Sequence, residues 1–185
     1  MIEECKRAGV AAVLFLVSAG VLSGSERGAV LSGSEEWEMA GINRENAAFH
    51  MQSEADRLMD SAQLEVCNND SEPSARRAEL LHATARLIEA GGLYGATVGN
   101  LDRAADNWEK SAAGYGKARQ DDRAQASRDR AAQARVNALI ACQLAAECYE
   151  KAAAIYVDSQ VNQTARAARA SEKAASWREK LAARK

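Results

Sequence analysis

The sequence predicts an all-α fold, and three observations carry that expectation. Proline occurs once in 185 residues, at Pro73. Alanine, arginine, glutamate, lysine and glutamine fill the second half, and these residues give up least on entering a helix. No stretch alternates apolar and polar residues long enough for a half-buried strand. The length allows one domain-sized core with a terminal segment to spare.

The breakers set the expected order of elements. A first helix over roughly residues 36–66 is stopped by Asn68, Asn69 and Pro73. Ser71 or Ser74 caps a second, which runs to the Gly91-Gly92 pair. Gly99 and Asn100 then interrupt the chain, with Asn100 placed to cap a third helix from Leu101 to about Tyr115. Asp121 caps a fourth that continues to Asp158, and a last helix begins near Val161. Together, residues 36–185 form a helical domain of about three helix pairs.

The N-terminus reads differently. Ala8 to Ser25 carries no charge, Val10 to Leu22 is strongly apolar, and Lys6 and Arg7 precede it. Residues 1–24 therefore have the layout of a secretory signal peptide or of a membrane anchor touching lipid through residues 8–22. Glu3 and Glu4 weaken the basic region for either use. The glycine- and serine-rich residues 25–35 form a flexible linker. The expected setting is export or membrane tethering, with the cytoplasm as the alternative.

The formal net charge of −2 conceals an asymmetry. Ser23 to Ala90 holds 13 acids and 6 bases, whereas Arg123 to Lys185 holds 12 bases and 6 acids. Such a chain has charge to offer a partner or a second copy of itself. Its chemistry is otherwise sparse. Cys5, Cys67, Cys142 and Cys148 lack the spacing of a disulfide framework or a metal site, and His50 and His82 share no ligand motif. No serine or cysteine has a recognisable base, and the glycines at 91, 92 and 95 lack the lysine of a phosphate loop. The expectation is no enzyme, no metal and no cofactor. The basic last helix reads as a solvated cap, because acidic residues interrupt it and the chain is acidic overall, which argues against a nucleic-acid partner.

One internal repeat stands out. Residues 104–115 (AADNWEKSAAGY) align with residues 145–156 (AAECYEKAAAIY) at a constant offset of 41. Trp108 pairs with Tyr149, Ala112 with Ala153, Tyr115 with Tyr156, and Ala124 with Ala165 beyond. A fainter copy lies at residues 55–62. A large aromatic, a small residue four further, an aromatic three beyond that and an alanine nine later resembles the tetratricopeptide repeat. The stretch 145–156 is similar to the extended repeats of soluble NSF attachment proteins. The match covers Leu101 to Ala175 and departs from the consensus at Arg128 and Arg169, where a later aromatic belongs. The repeat also lacks the glycine expected at Ala112 and Ala153.

The resemblance implies antiparallel helix pairs stacked as a short right-handed solenoid, with a compact helical bundle as the alternative. A 41-residue unit against the usual 34 implies longer helices in each pair. Its core would be Trp108, Ala112, Tyr115, Ala124, Tyr149, Ala153, Tyr156 and Ala165. The implied function is a non-catalytic protein–protein interaction module or adaptor. A peptide or helix would be gripped by Asn107, Lys110, Gln143, Glu147 and Lys151 on the inner helices. The second expectation is a structural spacer or envelope protein that self-associates as a homo-oligomer.

Overall fold

The computed structural model describes residues 33–67 and 72–184. The proposed signal peptide or anchor, and most of the linker, lie outside the described residues. Four helices account for the rest: α1 (Gly33–Cys67), α2 (Pro73–Lys117), α3 (Asp121–Val157) and α4 (Thr164–Ala182). Among the described residues no helix is long and apolar enough to cross a membrane.

Each helix runs antiparallel to the one before it. Near the α1–α2 turn, Arg76 on α2 donates to the carbonyls of Glu65 and Val66 at 2.7 and 2.6 Å. Far from the turn, Trp108 Nε1 donates to Glu45 Oε1 at 2.8 Å. Helix α2 packs along both α1 and α3, and α3 packs along α4, whereas the backbones of α1 and α3 barely approach each other. The core is thin and made mostly of alanines, such as Ala55, Ala83, Ala90, Ala104, Ala138, Ala145 and Ala152. Side chains this small let helices lie close, and the few aromatics then fill most of the remaining volume.

Helix α1 begins about one turn earlier than expected. Gly33, Ser34 and Glu35 are helical rather than part of a linker. Ser34 is held because its carbonyl accepts from Ser111 Oγ at 3.0 Å. The larger correction concerns α2. The breaks expected at Gly91-Gly92 and Gly99-Asn100 do not occur, and one helix of 45 residues runs through them. Asn100 caps nothing. It is buried mid-helix, its Nδ2 donating to Ala96 O at 3.2 Å and its Oδ1 accepting from Arg44 at 3.2 Å. Five expected helices, and three expected pairs, thus become four helices among the described residues.

The glycines remain helical because neighbouring rings occupy the space a side chain would need. A Cβ on Gly91 would stand 2.9 Å from Tyr149 Cε2, and one on Gly95 would stand 2.6 Å from Trp177 Cζ2. Gly41 on α1 serves Trp108 in the same way, at 2.8 Å. Glycine is weak in a helix interior, but tertiary packing overrides so small a preference.

This arrangement also changes the meaning of the repeat. Trp108 lies in the last part of α2 and packs on α1; Tyr149 lies in the last part of α3 and packs on α2. The 41-residue offset therefore spans one helix and its turn, not a helix pair. Consecutive copies point in opposite directions, and what recurs is the contact of a helix's C-terminal part with its predecessor. Of the eight residues assigned to the repeat core, Trp108, Ala112, Tyr115, Ala124, Tyr149, Ala153 and Tyr156 are buried. Ala165 is exposed, because the register of α4 turns Ala167, Ala170 and Ala174 inward instead.

The turns are built from local chemistry. At the end of α2, Arg119 N–H donates to Gly116 O at 3.1 Å and Gln120 N–H to Tyr115 O at 2.9 Å. This is the Schellman closure, with Arg119 at φ 59° where glycine is usual. Between α3 and α4, Asp158 Oδ1 accepts from Gln160 N–H at 2.8 Å, and Asn162 takes φ 46°. Asparagine tolerates that left-handed conformation better than most residues.

Two adjacent glycines give a sharp test. Nothing lies within 4 Å of a Cβ on Gly92, whereas one on Gly91 meets the buried Tyr149 ring. Gly92→Ala should raise stability by about 0.5–1 kcal/mol through helix propensity alone. Gly91→Ala should lower it by about 1 kcal/mol, overpacking outweighing the same gain. Trp108→Ala, which empties the largest buried side chain, should lose about 3–5 kcal/mol. Urea unfolding of the three variants beside the parent measures all of these; equal shifts for the two glycine variants would contradict the assignment of Gly91.

Candidate functional site

Helix α4 is short and its position is tightly set. Ala167, Ala170 and Ala174 are buried against the rest of the molecule, and Trp177 rests on Gly95 of α2. Two bidentate ion pairs clamp its C-terminal half. Arg178 Nε and Nη2 donate to Glu150 of α3 at 2.9 and 2.8 Å. Arg184 Nη1 and Nη2 donate to Asp102 of α2 at 2.7 and 2.6 Å. The paired guanidinium holds the Glu150 carboxyl below the usual carboxylate range. Lys180 lies over the Trp177 ring, 4.1 Å from its centroid.

The N-terminal half of α4 differs. Arg166, Arg169 and Lys173 recur at i, i+3 and i+7, so they share one face beside the alanine stripe. All three are exposed, and none forms an ion pair among the described residues. With Ile88 of α2, Tyr149 and Tyr156 of α3 and Ala170, they line a cavity of about 190 Å³. The cavity thus has two aromatic walls, an aliphatic one, and three cations at its rim. Lys173 Nζ stands 5.3 Å from the Tyr149 ring centroid, within range of a cation–π attraction. Burial pushes the Tyr149 hydroxyl above its ordinary value, so it is a neutral phenol at neutral pH.

A shallower depression adjoins the cavity through Arg166, over Asn162, Gln163, Thr164 and Ala165. Here α4 begins. Helices α1 and α3 carry Glu35 and Glu36, or Asp121 and Asp122, in their first turns, whereas α2 and α4 carry no acid there. Gln163 makes no capping hydrogen bond with its side chain, and its Oε1 is buried without a partner. The positive end of the helix dipole therefore adds to the three side-chain cations rather than being neutralised.

The residues expected to grip a partner do not converge. Ser111 of α2 meets Ser127 of α3, and Gly91 meets Tyr149. Asn107 and Lys110 thus sit near the first contact, and Gln143, Glu147 and Lys151 near the second, separated by about 30 Å at 1.5 Å per residue. Lys110 is also occupied, its Nζ lying 4.2 Å from the Trp37 ring centroid on α1. Gln143 donates to Glu147 at 2.9 Å on the α3 surface. The expected groove assumed copies stacked in parallel, and antiparallel copies place corresponding positions at opposite ends. Arg166, Arg169 and Lys173 were legible only as a solvated face. Their spacing beside a stripe of small residues, with no acid in the first turn, was the available signal.

Among the described cysteines, Cys67 is exposed, whereas Cys142 and Cys148 are buried, and burial pushes the Cys148 thiol up to about 12, far from the reactive thiolate range. His82 Nδ1 lies 3.0 Å from Glu65 Oε1 beside Arg86, within an exposed ion-pair group between α1 and α2. No group of three or more metal-ligating side chains occurs among the described residues. No family model matches the chain, and no curated protein or solved structure matches it significantly.

The Glu150–Arg178 clamp has a definite pH signature. Because the folded-state pKa of Glu150 is lowered, its stabilisation is present above the ordinary carboxylate range and lost as pH falls through the lowered value. Glu150→Gln should therefore reduce stability at pH 7, by less than about 1 kcal/mol for so exposed a pair. The difference from the parent should close at an acid pH below that lowered value. Urea midpoints at both pH values check this, and a gap that persists in acid would assign the loss to packing instead.

Proposed function

We propose that the chain is a non-catalytic interaction module that binds a negatively charged polypeptide segment in the cleft between α2, α3 and α4. One observation carries the reading: three cations on one face of α4 have no carboxylate partner among the described residues and line a tyrosine-walled cavity, while Arg178 of the same helix and Arg184 just beyond it are clamped by carboxylates. Guanidinium groups left unpaired beside aromatic surface are suited to carboxylate or phosphate recognition. The clamps on Arg178 and Arg184 hold the cleft's third wall in place, so little ordering is needed on binding. The tetratricopeptide-like spacing enters as a recurring helix–helix contact, and a concave solenoid groove is not part of the proposal. The apolar residues 10–22 add a setting, export or a membrane tether, in which such a module would present itself.

Fluorescence anisotropy with a labelled acidic peptide tests the placement. Binding is expected at low ionic strength and should weaken with added salt, as screening shortens the reach of the exposed cations. Arg166→Glu/Arg169→Glu/Lys173→Glu should abolish it with circular dichroism unchanged. Lys110→Glu/Lys151→Glu should leave it intact. The reverse pattern would return the site to the inner-helix residues and sink the cleft.

A further inference from the structure

We infer that the group recognised in this cleft is a phosphate monoester borne on a peptide side chain, an inference that rests on the cleft being the binding site. Shape restricts the occupant first. A cavity of about 190 Å³, below the roughly 300–1,000 Å³ of small-molecule sites, opens at Arg166 onto a depression of about 410 Å³. One side chain fits the first, with room for the chain that carries it in the second.

Charge restricts it further. Arg166, Arg169 and Lys173 bring three positive charges to the rim, and no described carboxylate pairs with any of them. A single carboxylate would leave most of that charge unbalanced. A phosphate monoester carries a charge of about −1.5 to −2 and three acceptor oxygens, which two forked guanidiniums and an ammonium can share. The start of α4 favours the same ligand. Arg166 occupies the acid-free first turn, where a cation is unfavourable against the helix dipole and an anion is favourable.

The neighbouring depression accounts for the carrier. It follows the backbone from Asn162 to Arg166 and adjoins the cavity at Arg166. A phosphorylated side chain in the cavity, with its own backbone lying along the 162–166 depression, occupies both parts of the site.

The full chain is titrated by anisotropy against three labelled peptides that share one acidic sequence and differ at a central serine, phosphoserine or glutamate. The phosphoserine peptide should bind about tenfold or more tightly than either of the others. Arg166→Gln/Arg169→Gln should erase that preference, and millimolar inorganic phosphate should compete. Equal binding of the three peptides, still lost on charge reversal of the cleft, overturns the phosphate inference and leaves the binding reading standing. No binding of any peptide overturns both. Inorganic phosphate binding as tightly as the phosphopeptide removes the peptide from the recognition. Vesicles containing a phosphorylated inositol lipid, bound through the same arginines in preference to the peptides, make the site a membrane contact and overturn the inference.

Discussion

Helix α2 contains six glycines, at 91, 92, 95, 99, 114 and 116, and is nevertheless continuous over 45 residues. Each glycine costs about 1 kcal/mol relative to alanine in a helix interior, so an isolated peptide of this sequence would have good reason to break. What holds it together is close approach. Tyr149 from α3, Trp177 from α4 and Ser34 from α1 each lie where a side chain on Gly91, Gly95 or Gly114 would be. The rest of the fold depends on these contacts, since a thin alanine core offers little else of large area to bury. The apparent weakness of α2 is the condition for its neighbours to seat.

A central helix that cannot break imposes the geometry of everything around it. Its length requires α1 and α3 to be long as well, and it makes the chain's repeat a succession of antiparallel helices. Trp177 fixes α4 at Gly95, and the pairs to Glu150 and Asp102 fix its direction. With that register settled, the alanine stripe faces inward and Arg166, Arg169 and Lys173 are carried to the edge of the Tyr149 and Tyr156 walls. The cleft is thus a consequence of how α4 docks, and its basic rim is set by helical spacing alone.

Composition and periodicity made the helical class and the buried aromatics legible. They failed where the outcome depended on a distant neighbour. Glycine at 91 and 92 means a break by local propensity, and only the ring of Tyr149, far along the chain, reverses that meaning. The 41-residue offset carries no direction, so a unit of one helix and a unit of two give the same alignment. The wrong choice scattered Asn107, Lys110, Gln143, Glu147 and Lys151 along α2 and α3. Asn100 misled for a related reason. Its side chain suits a helix cap, but a side chain that can donate to Ala96 O and accept from Arg44 is equally satisfied inside one.

The division of the chain into an acidic first part and a basic last part also changes meaning once the helices are in place. Much of it is spent internally. Arg123 reaches Glu35 and Glu38, Arg130 reaches Glu45, Arg135 reaches Glu109, and Arg184 reaches Asp102, each bridging two helices. Such exposed pairs add little stability individually, but they favour one register, because a slip of one turn would part each arginine from its carboxylate. An excess of bases that has been matched in this way says nothing about a partner. The informative cations are those the fold leaves over. Arg166, Arg169 and Lys173 stay exposed on the helix whose Arg178 is paired with Glu150, and they line the tyrosine-walled cavity without a carboxylate partner among the described residues. Only Lys173, over the Tyr149 ring, contributes to the packing, and charge left over at a cavity is the physical ground for proposing a ligand there.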